Sequence, residues 1–202
     1  MLRCLLYSLL GYFGGSILYA RLAQRLFRCE GMIAESPDQN PGAANAFARG
    51  GLACGLFTLA GDVFKGALPV ALYLRAAQNM DACLIPVLAA PVLGHAFPCY
   101  FRLHGGKGIA VTFGVLLGLL PYSQPLLLLV VSFLFFSIVV IVRPHSYRTL
   151  ATYAAVLVAM PLLHIHTSVP AGFGIIGLIV SYRILTAPEE KQALEVSFLW
   201  KR

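Results

Sequence analysis

The chain has 202 residues, of which 59% are hydrophobic and only 11% charged, with a formal net charge of +7. Soluble domains carry about 25% charged residues, so this composition excludes a soluble globular protein and points to the membrane. The length fits one domain over 1–202 with no separate soluble module. The basic excess is then expected to set topology and meet anionic headgroups, with no nucleic acid as partner.

Apolar runs in chain order predict seven membrane spans, at 2–24, 52–77, 82–101, 108–120, 124–142, 149–163 and 169–185. The first is too long for a signal peptide and lacks a small-residue cleavage site. After it comes Ser36-Pro37-Asp38-Gln39-Asn40-Pro41-Gly42-Ala43-Ala44-Asn45, a loop of turn formers whose asparagines offer donors and acceptors, with Arg49 close behind. The second span carries Asp62 and Lys65, three apart and so able to pair on one helical face. An ionisable pair inside a membrane is either a functional element or a structural ion pair.

The third span ends in Gly94-His95-Ala96-Phe97-Pro98, and Phe101-Arg102-Leu103-His104-Gly105-Gly106-Lys107-Gly108 opens the fourth. Gly105, Gly106 and Gly108 free backbone N–H groups to close on a ligand, and Lys107 adds positive charge at the N-terminal end of a helix dipole. Together these predict a phosphate site at the membrane surface. Between the fifth and sixth spans, Arg143-Pro144-His145-Ser146-Tyr147-Arg148-Thr149 has two arginines and hydroxyl side chains that suit a phosphate or anchor the loop to headgroups. His164 and His166 fall on the opposite side and are assigned no chemistry. The five cysteines, Cys4, Cys29, Cys54, Cys83 and Cys99, show no CxxC spacing and read as apolar fillers.

Twelve basic residues fall in loops on one side (Arg21, Arg25, Arg28, Arg49, Arg102, Lys107, Arg143, Arg148, Arg183, Lys191, Lys201, Arg202), against Arg3 and Arg75 on the other. The positive-inside rule then puts the N-terminus outside and the C-terminus and motif loops in the cytoplasm. The expected fold is all-α: a polytopic membrane protein of seven helices with short cytoplasmic motif loops.

Four motifs occur in order: Asn40-Pro41-Gly42-Ala43-Ala44-Asn45, Gly61-Asp62-Val63-Phe64-Lys65-Gly66-Ala67-Leu68-Pro69, Gly94-His95-Ala96-Phe97-Pro98 and Gly105-Gly106-Lys107-Gly108-Ile109-Ala110. In this order the chain resembles the bacterial acyl-phosphate:glycerol-3-phosphate acyltransferase family over most of its length. The resemblance implies a seven-helix enzyme of the bacterial inner membrane with its active site at the cytoplasmic face. It implies acyl phosphate and glycerol 3-phosphate as substrates, membrane lipid as surroundings, and lysophosphatidic acid and phosphate as products, with no cofactor. By the same likeness Lys107, Ser146 and His95 are catalytic candidates. Asn40, Gly42, Asn45, Arg49, Gly105, Gly106, Gly108 and Arg143 are candidates for binding the phosphate and glycerol 3-phosphate.

The chain departs from the family's Gly-Ser-Gly-Asn-Pro-Gly-Ala-Thr-Asn loop at Asp38, Gln39 and Ala44. Ala48 stands at the family's arginine, with Arg49 one place later, and Pro144-His145 replace its Tyr-Val. Where the family ends its last span His-Arg-Glu-Asn, this chain is read as Ile184-Leu185-Thr186-Ala187. Asp38 puts a like charge beside a phosphate. These departures keep two alternatives open: a catalytically silent relative that binds acyl phosphate or lysophosphatidate, and a small anion carrier built on Asp62 and Lys65. The residue five after His95 is Tyr100, so the His/Asp dyad of soluble-type glycerolipid acyltransferases is absent. The glycine loop lacks the first glycine and the Ser/Thr of a nucleotide P-loop. No acidic cluster suggests a metal.

Overall fold

A computed structural model describes residues 1–188 and 193–199. Lys191, Lys201 and Arg202 of the basic tail lie outside the described residues. Eight helices account for most of the chain: α1 (Leu2–Gly15), α2 (Tyr19–Leu26), α3 (Ala43–Ala77), α4 (Leu84–Ala96), α5 (Ile109–Leu117), α6 (Gln124–Leu134), α7 (His145–Leu162) and α8 (Ser168–Leu185). Among the described residues, three segments are long and apolar enough to cross a membrane: Ala43–Ala77, Leu84–Phe101 and Ser168–Leu185.

Several boundaries differ from the expected spans. The first span is two helices, because Leu18 turns extended (φ −90°, ψ 96°) after Gly14-Gly15-Ser16. The second begins at Ala43, and Gly51 (φ 81°, ψ −176°) breaks it just before residue 52, where the apolar run starts. Only glycine takes that conformation without strain. The expectation of an all-α chain is corrected at two places. After a π turn at Phe135–Val139, the β-branched run Val140-Ile141-Val142 forms β1 (Val140–Arg143). It pairs antiparallel with β2 (Glu195–Phe198), Arg143 opposite Glu195. β-branched residues favour extended backbone, and pairing satisfies the amide groups that the end of the helix leaves open.

Helix contacts run along seams of small residues. α1 and α4 lie parallel, with a Cβ at Gly15 falling 2.2 Å from the Pro91 carbonyl oxygen and one at Gly94 falling 2.1 Å from that of Tyr12. α3 meets α5 in the same way at Gly66 and Gly114, where an added Cβ would lie 2.4 Å from the Val111 oxygen and 2.1 Å from the Val63 oxygen. Lipid supplies no hydrophobic force between helices, so backbone approach at small residues replaces it. The main core collects Leu88, Leu116, Leu129, Val156, Phe173 and Ile176 from α4 to α8. A second cluster of Ala20, Ala23, Met32, Ile33, Ala46 and Cys54 anchors the loop between α2 and α3. The outer face of α1 leaves Leu5, Leu6, Leu9, Leu10 and Phe13 exposed for lipid.

Candidate active site

The loop between α2 and α3 is folded by its own side chains. The Asn45 amide donates to Ser36 Oγ (3.0 Å), Asp38 Oδ1 (2.8 Å) and the Asn40 carbonyl (2.9 Å). The Asn40 N–H donates to Asp38 Oδ1 at 3.2 Å, an Asx turn. The turn aims Asn40 Oδ1 at the glycine-rich loop, where it accepts the Lys107 N–H at 2.9 Å. Lys107 Nζ bonds Asp38 Oδ2 at 2.8 Å. Burial pushes the Asp38 carboxyl up, but hydrogen bonds from Lys107 and Asn45 and the Lys107 charge outweigh it, leaving it below the ordinary carboxylate range.

The glycines of this loop are set by close approach. A Cβ at Gly105 would lie 1.9 Å from the His95 carbonyl oxygen, and one at Gly106 would lie 2.3 Å from His95 Nε2. The Gly106 N–H donates to that same His95 carbonyl at 3.0 Å. Gly108, at φ +81°, turns the chain into α5.

Below the loop, Asp62, Lys65 and His95 form one buried cluster. Lys65 Nζ donates to the Ile17 carbonyl at 2.7 Å and to His95 Nδ1 at 2.9 Å, and forms an ion pair with Asp62 Oδ1 at 2.7 Å. With Nδ1 accepting, this network assigns the His95 ring proton to Nε2, on the side of Gly106. Asp62, Lys65 and His95 are 1%, 4% and 2% exposed.

Two cavities meet at this point. A polar one of about 520 Å³ is walled by Arg21, Gln24, Asp38, Asn40, Lys107 and Arg183. An apolar one of about 230 Å³ is walled chiefly by Leu59, Ile109, Ala110 and Phe113, with His95 and His145 at its edge. Asn40 and Lys107 line both. Three cations against one carboxylate make the polar cavity electropositive among the described residues. Arg21 stacks on Phe101 at 5.1 Å. Arg183 stacks on Phe97 at 5.9 Å and donates to the Gly105 carbonyl. The Nε groups of Arg21 and Arg183 are buried without a hydrogen-bond partner. A polar chamber for a small anion thus opens beside an apolar one for a hydrocarbon, with one lysine on the boundary.

The structure unites Asn40, Gly42, Asn45, Gly105, Gly106, Lys107, Gly108, His95, Asp62 and Lys65 around these cavities. It does not bring in Arg49, which is exposed, or Arg143, which is exposed on β1. Ser146 is half-buried in the first turn of α7 and lines neither cavity, whereas its neighbour His145 does. Arg148 braces β1 by donating to the Val142 carbonyl at 3.1 Å. Sequence reading missed Arg21 and Arg183 as site residues, having counted both toward topology. The segment read against the family's His-Arg-Glu-Asn divides in the structure. Ile184 is 8% exposed and belongs to the apolar core, so it does not face the pocket. From the same segment Arg183, Thr186 and Ala187 line the polar cavity.

Fold and site define an integral-membrane helical protein with an electropositive pocket next to an apolar groove. The family model for glycerol-3-phosphate acyltransferase matches residues 5–190, so the chain belongs to that family. It is 35% identical over 146 residues to a glycerol-3-phosphate acyltransferase of Myxococcus xanthus, covering 72% of this chain and 73% of that one. A Pseudomonas putida protein of the same name is 36% identical over 163 residues, covering 78% and 76%. Against the Pseudomonas aeruginosa protein the match is 42% over 118 residues, 57% of this chain and 60% of that one. The fold is similar to a crystal structure of PlsY (YgiH), an integral membrane glycerol 3-phosphate acyltransferase, in its lysophosphatidic acid form. The TM-score is 0.75 at 23% identity over 94% of this chain and 95% of that one. The glycerol 3-phosphate form of the same protein is similar, with TM-score 0.75 at 22% identity.

Proposed function

We propose that this protein transfers a fatty acyl group from acyl phosphate to the sn-1 hydroxyl of glycerol 3-phosphate, giving lysophosphatidic acid and inorganic phosphate for phospholipid synthesis. The observation that carries this reading is the shared wall of the two cavities, where Asn40 and Lys107 face both a polar chamber and an apolar one. The polar chamber holds glycerol 3-phosphate, its phosphate drawn by Arg21 and Arg183. The apolar chamber takes the start of the acyl chain, and the acyl phosphate group lies at Lys107 and the Gly105–Gly108 amides.

The chemistry is positional and electrostatic. Phosphate is already a good leaving group, so the hydroxyl attacks the acyl carbonyl directly and no acyl-enzyme forms. A substrate phosphate oxygen accepts the hydroxyl proton, a role carried over from the family. Lys107 offsets charge gathering on the departing phosphate, the kind of preorganised stabilisation that dominates many enzymes. Holding the two anions in line can supply roughly 7–11 kcal/mol of the barrier. His95 acts as a positioning residue, since its Nδ1 is occupied by Lys65 and its carbonyl holds the Gly106 N–H. Ser146 and Arg143 line neither chamber and are given no role in this reading.

The same reading includes a single domain of seven crossings in the bacterial inner membrane, N-terminus outside and polar chamber facing the cytoplasm. The exposed apolar face of α1 and the gathering of Arg21, Lys107 and Arg183 around the polar chamber support it. The anion-carrier alternative is disfavoured, because Asp62 and Lys65 are locked to each other, to Ile17 and to His95. The silent-relative alternative draws on the Asp38–Lys107 pair.

The test is purified protein in lipid with palmitoyl phosphate and labelled glycerol 3-phosphate. Labelled lysophosphatidate should form in step with phosphate release, and neither substrate alone should give product. Binding of both substrates without product would establish the silent relative. Orientation is tested with single cysteines at 107 and 164 in a cysteine-free chain. A membrane-impermeant maleimide should label 164 and not 107 in intact cells, and labelling of 107 would reverse the orientation.

A further inference from the structure

At the end of the bundle remote from the active site, α1 and α4 begin side by side. Cys4 lies in the first turn of α1, and Cys83 immediately precedes α4. The Cys4 thiol donates to the Cys83 carbonyl at 3.9 Å, which brings the two cysteines side by side. Both are half-buried, unlike Cys54 in the core, so an oxidant can reach them.

This end is braced on every side. Arg3 donates to the Ala76 carbonyl at 3.0 Å, tying the start of α1 to the end of α3. Asp81, in the short connection before Cys83, accepts the Tyr73 hydroxyl, and its carbonyl accepts the Ser168 hydroxyl at 2.7 Å. Farther along, the Gly15–Pro91 and Gly94–Tyr12 approaches fix how α1 slides on α4, and Cys4 and Cys83 sit at the same level of that seam. Cys83 packs against the main core, as an apolar filler would, but its backbone also meets the Cys4 thiol across the seam.

We propose that Cys4 and Cys83 form a disulfide across the outer end of the α1–α4 seam. The inference rests on the outward-facing N-terminus of the preceding section, because disulfides persist in oxidising compartments and are rare in the cytoplasm. The oxidant is a protein disulfide of that compartment. One thiolate attacks it to give a mixed disulfide. The second thiolate then attacks the sulfur of the first cysteine, breaking its bond to the donor, and the donor leaves as a dithiol. Two protons and two electrons pass from the cysteine pair to the donor, and one S–S bond is exchanged for another. The bond pins the two helices whose inner ends hold Ile17 and His95 around Lys65, so its role is to keep that cluster assembled rather than to do chemistry.

The experiment blocks free thiols with N-ethylmaleimide in bacterial membranes before any reductant is added. The protein is then purified and mapped by mass spectrometry. Cys4 and Cys83 should be unmodified and joined in one cross-linked peptide until reduction, while Cys29, Cys54 and Cys99 react once the chain is unfolded. Reduction should lower the apparent Tm of the wild type by roughly 5–10 °C. The Cys4→Ser/Cys83→Ser variant should not respond to reductant. Maleimide on Cys4 or Cys83 before reduction overturns the proposal, and so does a Tm response to reductant that survives in the double variant. Oxidised glutathione added to the reduced protein in detergent then separates the causes. Closure of the bond there means that the orientation was wrong, and its failure there means that the geometry was. Acyl transfer measured on the same sample tests the enzymatic reading independently.

Discussion

Replacing Asp38 by asparagine should tighten binding of glycerol 3-phosphate. Asp38 stands where the family has serine, and its carboxylate, 2.8 Å from Lys107, lines the polar chamber read as holding glycerol 3-phosphate. It is thus an internal anion that an incoming phosphate must displace or tolerate. At about 5 Å, two unit charges repel by ~3 kcal/mol at an effective dielectric of ~20 and by ~0.8 kcal/mol in bulk water. The side chains of Lys107 and Asp38 are 11% and 15% exposed, between those limits. Loss of the charge should therefore favour the bound dianion by roughly 1–2 kcal/mol, about a 5–30-fold fall in KM. Asparagine keeps an oxygen for the Asn45 amide and the Asn40 N–H, so the loop should hold its shape and kcat should change little. Steady-state kinetics over a range of glycerol 3-phosphate in lipid would measure this. An unchanged or raised KM in the asparagine variant would refute the argument and make Asp38 a required clamp on Lys107.

The same residue gives a pH dependence. The Asp38 carboxyl is held below its ordinary range when folded, so its contribution to stability is complete above about pH 4 and disappears as pH falls through the lowered folded value. Wild type should lose Tm more steeply than Asp38→Asn on acidification below about pH 4, and parallel curves would show that the pair contributes nothing. Lys107→Ala should reduce turnover by at least 100-fold, the order seen when a charge-stabilising group is lost, with the protein still folded by gel filtration. Lys65→Met strands Asp62 in the core and should destabilise by about 3–5 kcal/mol, read as loss of folded protein in detergent, whereas Asp62→Asn with Lys65→Met should recover much of that loss. Ile184→His puts a polar ring into the apolar core. It should cost roughly 1–3 kcal/mol in Tm measurements without raising activity, and a gain in turnover would show that position 184 reaches the site.

Much of the site was legible because its parts are local. Asn40 and Asn45 sit in a run of turn formers, and such a run folds on itself through side-chain amides whatever surrounds it. Gly105, Gly106 and Gly108 announce close backbone approach, and Lys107 among them announces an anion. Asp62 and Lys65 declare their pairing by a three-residue spacing. The third partner, His95, lies 30 residues from Lys65, and nothing in its neighbours states that it would take a lysine proton rather than a substrate. The β1–β2 pairing was hidden for the same reason. Val140-Ile141-Val142 reads equally as the end of a membrane helix or as a strand, and the choice falls to residues more than 50 positions away.

Charge was the least legible property. In a membrane chain an arginine can fix orientation, meet a headgroup, brace a turn or bind a substrate, and the first of these accounts for every basic loop at once. Arg143 and Arg148 lie in a loop read as suiting a phosphate or a headgroup, yet one is exposed on a strand and the other braces that strand. Arg21 and Arg183 looked like topology markers, yet both wall the polar cavity with their Nε groups buried. What separates the two pairs is the aromatic ring beneath each guanidinium, Phe101 under Arg21 and Phe97 under Arg183. Each ring flanks the glycine-rich loop, so the residues that frame Lys107 also select which arginines stand beside it. The pocket is therefore a property of the Phe97–Gly108 segment as a whole. A basic count by loop cannot see this, because the rings that recruit Arg21 and Arg183 are 80 and 86 residues away from them in the chain.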